Sequence, residues 1–290
     1  MGRTIRKKKT KRTKQKKDKF QLIKKACKQF NKPIFCMRHL NTDANIISDS
    51  FIGKTYNKLI GKKGGSLKHY LPFMLPGIKE PTISAWGRND VNKLPKKYNI
   101  TKTKNNHYTV IVSPLMRTWV SALLFIRGLL KGHTFSLTLI ISPCIEKSGF
   151  SGNTPLEKSY QRFKGEVKDN ETIQFKYCGN INRKKYTCSL IDVVDYKTMY
   201  SDIKKSKAYN PYNKGGFRID ETLYMISNSC KDEFKNMKQI LMYAHSGVLK
   251  NYTTYLGFPH DKVKKLKGIN GYALVFTVSN NKVEVKLKYP

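Results

Sequence analysis

Side chains able to do acid, base, nucleophilic or metal chemistry are thinly spread along this chain. The six histidines, His39, His69, His107, His133, His245 and His260, stand singly, and none sits in a His-x-Glu or His-Glu-x-x-His pattern that would hold a metal-activated water. Spacing alone assigns each to the surface or to a satisfied core position. Cys27, Cys36 and His39 offer three zinc-type donors and Cys178 with Cys188 two more, but neither set has the short knuckle that closes a structural zinc site. The close carboxylate pairs, Asp192 with Asp195, Asp220 with Glu221 and Asp232 with Glu233, have the ordinary spacing of loops and helix starts, not the clustering that binds a divalent ion for nuclease chemistry. Gly53-Lys54-Thr55 looks like the end of a phosphate-binding loop, but Ser48 stands where that loop needs its first glycine. Gly215-Gly216-Phe217-Arg218, near Tyr209, Tyr212 and Lys214, mixes rings with cations, which suits a single-strand stacking surface and equally any basic loop. No catalytic residue, metal site or cofactor is expected from these patterns, and the chain reads as a non-enzyme.

Charge is the stronger signal. Fifty-seven Lys and Arg face 19 Asp and Glu, for a formal net charge of +38, and an excess of that size calls for a polyanionic partner. Thirteen of the cations and a single acid, Asp18, fall within residues 1–25. Such a block cannot bury enough apolar surface to offset its own ordering, so it is expected to stay disordered until phosphates neutralise it. The expected nucleic-acid contacts are Arg3, Arg6, Lys7, Lys8, Lys9, Lys11, Arg12, Lys14, Lys16, Lys17 and Lys19 of this arm, together with the clusters Lys62-Lys63 and Arg183-Lys184-Lys185. The partner would be single-stranded DNA or RNA, bound through its backbone without base readout. Lysine dominates and no apolar face recurs before Phe20, which argues against a mitochondrial presequence; an apolar core for a secretory signal is missing too, while a nuclear-import role for Lys7–Lys17 fits.

Around these residues the pattern suggests one sizeable, mainly β domain. Residues 1–25 form the arm, 26–106 a loop-rich basic segment dense in Gly, Pro, Asn and Lys, and 107–290 the core. Phe20, Leu22, Ile23, Ala26, Cys27 and Phe30 recur at helical spacing. Strands are expected at Tyr108–Val112, Thr134–Ile141, Thr172–Tyr177, Tyr186–Val194 and Tyr272–Ser279, and Leu115–Leu130 fits either a helix or a buried strand. Val283, Val285, Leu287 and Tyr289 alternate with Lys286 and Lys288, the signature of a strand with one wet face. Residues 232–255, through Phe234, Met237, Ile240, Leu241, Ala244 and Val248, have the spacing of a helical insertion. The most apolar stretch, Trp119–Leu130, is too short to cross a bilayer. Six well-separated cysteines with no signal peptide point to reduced, buried thiols in an intracellular setting.

The closing pair of runs, Tyr272–Asn280 and Lys282–Tyr289, behind a basic N-terminal arm, resembles the jelly-roll coat proteins of small single-stranded DNA viruses of the geminivirus and circovirus kind. That resemblance implies an antiparallel jelly-roll sandwich, self-assembly into a closed homo-oligomeric shell, an arm that packages genome, and a place in the virion with the host nucleus reachable through the arm. A ribosomal or mitochondrial-ribosomal RNA-binding protein is the alternative, favoured by the even spread of charge beyond residue 25.

Overall fold

The computed structural model describes residues 21–42, 83–142, 156–181, 184–189, 219–266, 269–280 and 282–290. In chain order these give helix α1 (Gln21–Phe30), strand β1 (Ile34–Arg38), α2 (Ala85–Val91), α3 (Leu94–Lys97), β2 (His107–Val112), α4 (Met116–Leu130), β3 (Phe135–Ile141), α5 (Leu156–Lys164), β4 (Glu171–Ile181) and β5 (Lys184–Ser189). Then follow α6 (Ile219–Ser229), a 3-10 turn (Lys231–Phe234), β6 (Ile240–Ala244), α7 (Ser246–Leu256), α8 (His260–Lys265), β7 (Ala273–Ser279) and β8 (Lys282–Lys288).

All eight strands lie in one sheet, in the order β5-β4-β3-β2-β6-β1-β7-β8. The five inner strands β4, β3, β2, β6 and β1 run parallel, and only β5 at one edge and β7–β8 at the other turn antiparallel. Helices cover both faces. Ile34 pairs with Phe276 and Phe35 with Val275, so Phe35 and Phe276 point to opposite faces. Tyr98, just after α3, packs on Phe35, whereas Tyr252 of α7 packs on Phe276.

This arrangement corrects the antiparallel jelly roll. A sandwich needs two facing sheets, and here a single sheet is sandwiched between helical layers. The parallel strands follow from the chemistry of β1, β6 and β2, which are buried on both faces, as strands roofed by crossover helices must be. Leu115–Leu130 resolves into a helix, α4, apolar nearly all round because it is itself buried; it ends where Lys131 adopts φ 50° and Gly132 φ 93°. The expected helical insertion at 232–255 is instead a 3-10 turn, the central strand β6 and then α7. The strands expected at Tyr108–Val112, Thr134–Ile141, Thr172–Tyr177 and Tyr272–Ser279 are present, as is the helix ending at Phe30. In β8, Val283, Val285 and Leu287 pack against the core as the alternation implies, but Tyr289 is 40% exposed.

Two details fix α4, the helix that matters most below. Trp119 sits edge-on to Phe163 and Phe175 at 5.7 and 5.1 Å, which pins the helix to α5 and β4. Near its other end, Arg127 grips Glu171 at the start of β4 through two bonds of 2.6 and 2.7 Å. At Gly87 of α2 the constraint is space alone. A Cβ there would lie 2.6 Å from the Asn41 carbonyl oxygen, so only glycine lets α2 close against the chain leaving β1. The expectation of reduced thiols holds for Cys27 and Cys36 but not for Cys178 and Cys230, which form a disulfide between β4 and the end of α6. Among the described residues no helix is long and apolar enough to cross a membrane.

Candidate functional site

In an open α/β sheet the natural cleft lies beyond the carboxyl ends of the parallel strands, where the strand order reverses. From β1 the chain moves to β2, and β6 later inserts between them. The residues that close these three strands are therefore neighbours: Arg38 at the end of β1 and His39 just after it, Ser113 after β2, His245 after β6. Backbone bonds bind the ends together, His39 N–H donating to Ala244 O at 3.0 Å and Arg38 N–H to Tyr272 O at 2.9 Å.

The two imidazoles stand with ring centroids 5.3 Å apart. Both are buried, as are Arg38, Ser113, Arg117 and Thr118. His39 Nδ1 lies 2.8 Å from the Leu40 carbonyl oxygen. A carbonyl only accepts, so Nδ1 carries the proton and Nε2 keeps its lone pair. His245 is held through the other nitrogen, with Nε2 2.7 Å from Ser113 Oγ. Ser113 is itself anchored, its carbonyl receiving Trp119 Nε1–H at 2.8 Å and its hydroxyl accepting Leu115 N–H at 3.2 Å.

Positive charge frames the pair. Arg38 donates through Nη1 to Ile269 O at 2.6 Å. Arg117 stands on the first turn of α4, whose N-terminal end follows directly on Ser113. Ser121, one turn on, accepts Leu40 N–H and donates to Arg117 O, locking the start of α4 to the residue after His39. A helix N-terminus and buried guanidinium groups both favour a bound anion. Tyr272 closes the edge: burial pushes its phenol up to about 12, against the opposing pull of Arg38 and Ser246, so it remains a neutral hydroxyl.

Sequence spacing placed the functional residues elsewhere. The arm residues Arg3 to Lys19, the pair Lys62-Lys63 and Arg183 lie outside the described residues, as do Lys54, His69, Asp192, Asp195 and the 209–218 stretch. Lys184 and Lys185 fall on the edge strand β5, with β4, β3 and β2 between them and the two histidines. His107 bonds Ser136 at the amino end of β2, away from the cluster. Among the described residues no group of three His, Cys, Asp or Glu is placed to hold a metal ion. His39 and His245 are buried and hydrogen-bonded, one of the two outcomes expected of them, but the fold also sets their rings side by side, which the spacing did not show. The readable signal was positional: Arg38-His39, Ser113 and His245 each follow at once on an apolar run that ends a central strand.

No family model matches the sequence, and no curated protein is similar to it. Among solved structures, the chain is similar to the alpha-ribazole phosphatase of Shigella flexneri (14% identity, TM-score 0.38, covering 89% of this chain and 96% of that one). It is also similar to a provisionally named alpha-ribazole-5'-P phosphatase of Escherichia coli (13% identity, TM-score 0.37, covering 89% and 96%). These are phosphatases, not coat proteins; at such TM-scores they lend no weight to either reading. The coat-protein, ribosomal, genome-packaging and virion expectations fall with the jelly roll and the non-enzyme reading on which they rested.

Proposed function

We propose that this chain is a phosphatase that cleaves phosphate monoesters through a phosphohistidine on His39. The observation that carries the reading is the pair of buried imidazoles 5.3 Å apart, framed by Arg38, Arg117 and the N-terminus of α4. Each part has a role in phosphoryl transfer, where catalysis is mostly positioning and charge stabilisation. His39 Nε2, its lone pair kept by the Nδ1–H bond to Leu40 O, is oriented as a nucleophile. The two guanidinium groups and the helix end suit the equatorial oxygens of a phosphoryl group. His245 on the opposite side serves the developing charge and the leaving oxygen.

A phosphohistidine is acid-labile and survives alkali, so the experiment is to turn over labelled phosphate monoester and quench it in base. Wild-type protein is expected to hold label that acid releases, and His39→Ala to hold none while turnover falls by about 10³-fold or more. Turnover that survives His39→Ala within about tenfold would reject the reading.

A further inference from the structure

A nucleophile and a cation that stand on different elements need a tie between those elements. β1 pairs with β6 and β7, not with β2, the strand that leads into α4, so the sheet sets no direct register between His39 and Arg117. Resting on the phosphoryl-transfer reading above, we infer that Ser121 supplies that register. It is a positioning residue, whose hydroxyl holds the Leu40 peptide, and with it the His39 ring, against the turn of α4 that carries Arg117.

Each bond in this tie can run only one way. Leu40 N–H has nothing but a proton to offer, and it donates to Ser121 Oγ at 2.9 Å. A carbonyl only accepts, so the 2.6 Å contact between Ser121 Oγ and Arg117 O holds the hydroxyl's single proton. By the same rule His39 Nδ1–H donates to Leu40 O at 2.8 Å. The segment is held on its far side as well, where Ser84 N–H donates to Asn41 O at 2.9 Å and Thr42 bridges to Ile83. The Leu40 carbonyl therefore lies between two held peptide units, one tied to α4 and the other to the start of α2. His39, Leu40 and Ser121 are all buried, so a bond lost here is not replaced by bulk water.

The tie bears on the transfer step more than on binding. With p-nitrophenyl phosphate, the His39 Nε2 lone pair forms the N–P bond as the ester P–O bond breaks, and the P–O electron pair leaves on p-nitrophenolate. The ring keeps its Nδ1 proton and becomes cationic, so its bond to Leu40 O turns from a neutral into a charge-assisted one. A well-placed carbonyl thus stabilises the transferring state more than the bound ester. α4 itself is pinned independently by Trp119 and by the Arg127–Glu171 pair, so Arg117 stays in place when the Ser121 hydroxyl is removed. The loss is therefore read in the rate of transfer and not in the affinity for phosphate.

The experiment compares Ser121→Thr with Ser121→Val in the full chain. The two side chains share a shape, so strain from the added methyl is common to both and only the hydroxyl differs. In a single turnover of p-nitrophenyl phosphate the amplitude depends on how much of the sample is folded, but the rate constant of His39 phosphorylation does not. That rate constant should be about 10- to 100-fold lower in Ser121→Val than in Ser121→Thr, while affinity for inorganic phosphate as competitor agrees within about threefold. Equal rate constants, or a loss confined to amplitude, would make the hydroxyl purely structural and overturn the inference. Ser84→Ala is the control: it also strips a buried hydroxyl from this segment, but the Ser84 backbone N–H still holds Asn41 O, so its rate constant should stay within about threefold of wild type. A loss there as large as in Ser121→Val would mean that any weakening of the segment suffices, which also overturns it. A second readout needs no turnover. The NMR signal of His39 Nδ1–H, assigned with His39→Gln, should be slow to exchange in wild type and Ser121→Thr, and broadened or lost in Ser121→Val; a signal unchanged in Ser121→Val rejects the tie whatever the activity. If the wild type phosphorylates no histidine while this signal behaves as stated, it is the phosphatase reading that fails, and the hold of Ser121 on the His39 ring stands.

Discussion

The centre of the sheet and its β7–β8 edge are built from similar apolar residues to opposite ends. β1, β6 and β2 are covered on both faces; β1 closes on Arg38, and β2 and β6 run straight into Ser113 and His245, so their stability and their chemistry are joined: whatever holds β6 in place also places His245. In β8, alternate residues face solvent, Asn280 at φ 47° makes the tight turn back from β7, and exposed lysines discourage pairing with another chain. Past Tyr272 the edge finishes the sheet with β8, which pairs only with β7. Burial on both faces thus marks where this fold can hold charged groups out of water.

That contrast is broken most severely by emptying the centre. Met242 in β6 is fully buried between Cys36 and Ile111 on the neighbouring strands. Met242→Ala should lower unfolding free energy by about 2–5 kcal/mol, and the same cavity should cost activity because His245 is three residues away. Val283→Ala at the half-buried edge should cost less than about 1 kcal/mol and leave turnover intact. Urea unfolding with an activity assay on both variants checks this, and equal costs would mean the edge is as much a part of the core as the centre.

The same contrast governs what could be read from the sequence. The hairpin alternates, so its strands and its wet lysine face were visible, and that antiparallel signature was extended to the whole chain. β6 was hidden for the opposite reason. Ile240, Leu241 and Ala244, taken with Phe234, Met237 and Val248, happen to fall three and four apart, and a strand buried on both faces has no alternation to contradict a helix. Misplacing β6 removed the one fact that joins His39 to His245, since only the parallel pairing of β1 with β6 makes their ends neighbours. The net charge of +38 pulled attention to the termini and surface as well, whereas Arg38 and Arg117, the cations at the site, belong to no charge cluster.

A smaller effect separates the two regions by pH. Burial pushes the Cys27 thiol, on α1 against the centre of the sheet, from 9.0 up to about 12. A group whose pKa is higher in the folded protein stabilises it fully below the unfolded value, and that contribution is lost as pH rises. The unfolded chain therefore sheds this proton first, and stability should fall from about pH 9 upward by about 1.4 kcal/mol per pH unit from this thiol alone, until about pH 12. Urea midpoints measured at about pH 8 and about pH 10.5 should show a shallower decline in Cys27→Ala. An unchanged slope would mean that the thiol ionises as freely in the folded protein as in the unfolded one, and the covering of this face by α1 would be looser than the structure shows.

The least consequential change should be at the edge. Lys286 and Glu284 approach to 3.5 Å, but their side chains are 70% and 51% exposed. Water screens such a pair and both long side chains lose freedom to make it, so exposed pairs contribute about 0–1 kcal/mol. Glu284 and Lys286 are two apart on a strand, so they share its wet face and compete with solvent at every moment. Lys286→Ala should move the urea midpoint by less than about 0.5 kcal/mol equivalent and leave kcat/KM unchanged in both low and high salt. Arg127 and Glu171 make the informative control: they are chemically the same kind of pair, but Glu171 is nearly fully buried. Glu171→Ala strands a guanidinium where water cannot fully reach it, which costs several times more than removing the edge pair. If the two pairs proved equal, the edge would have to be drier than its exposed residues show, and β8 would then be covered by something the isolated chain lacks.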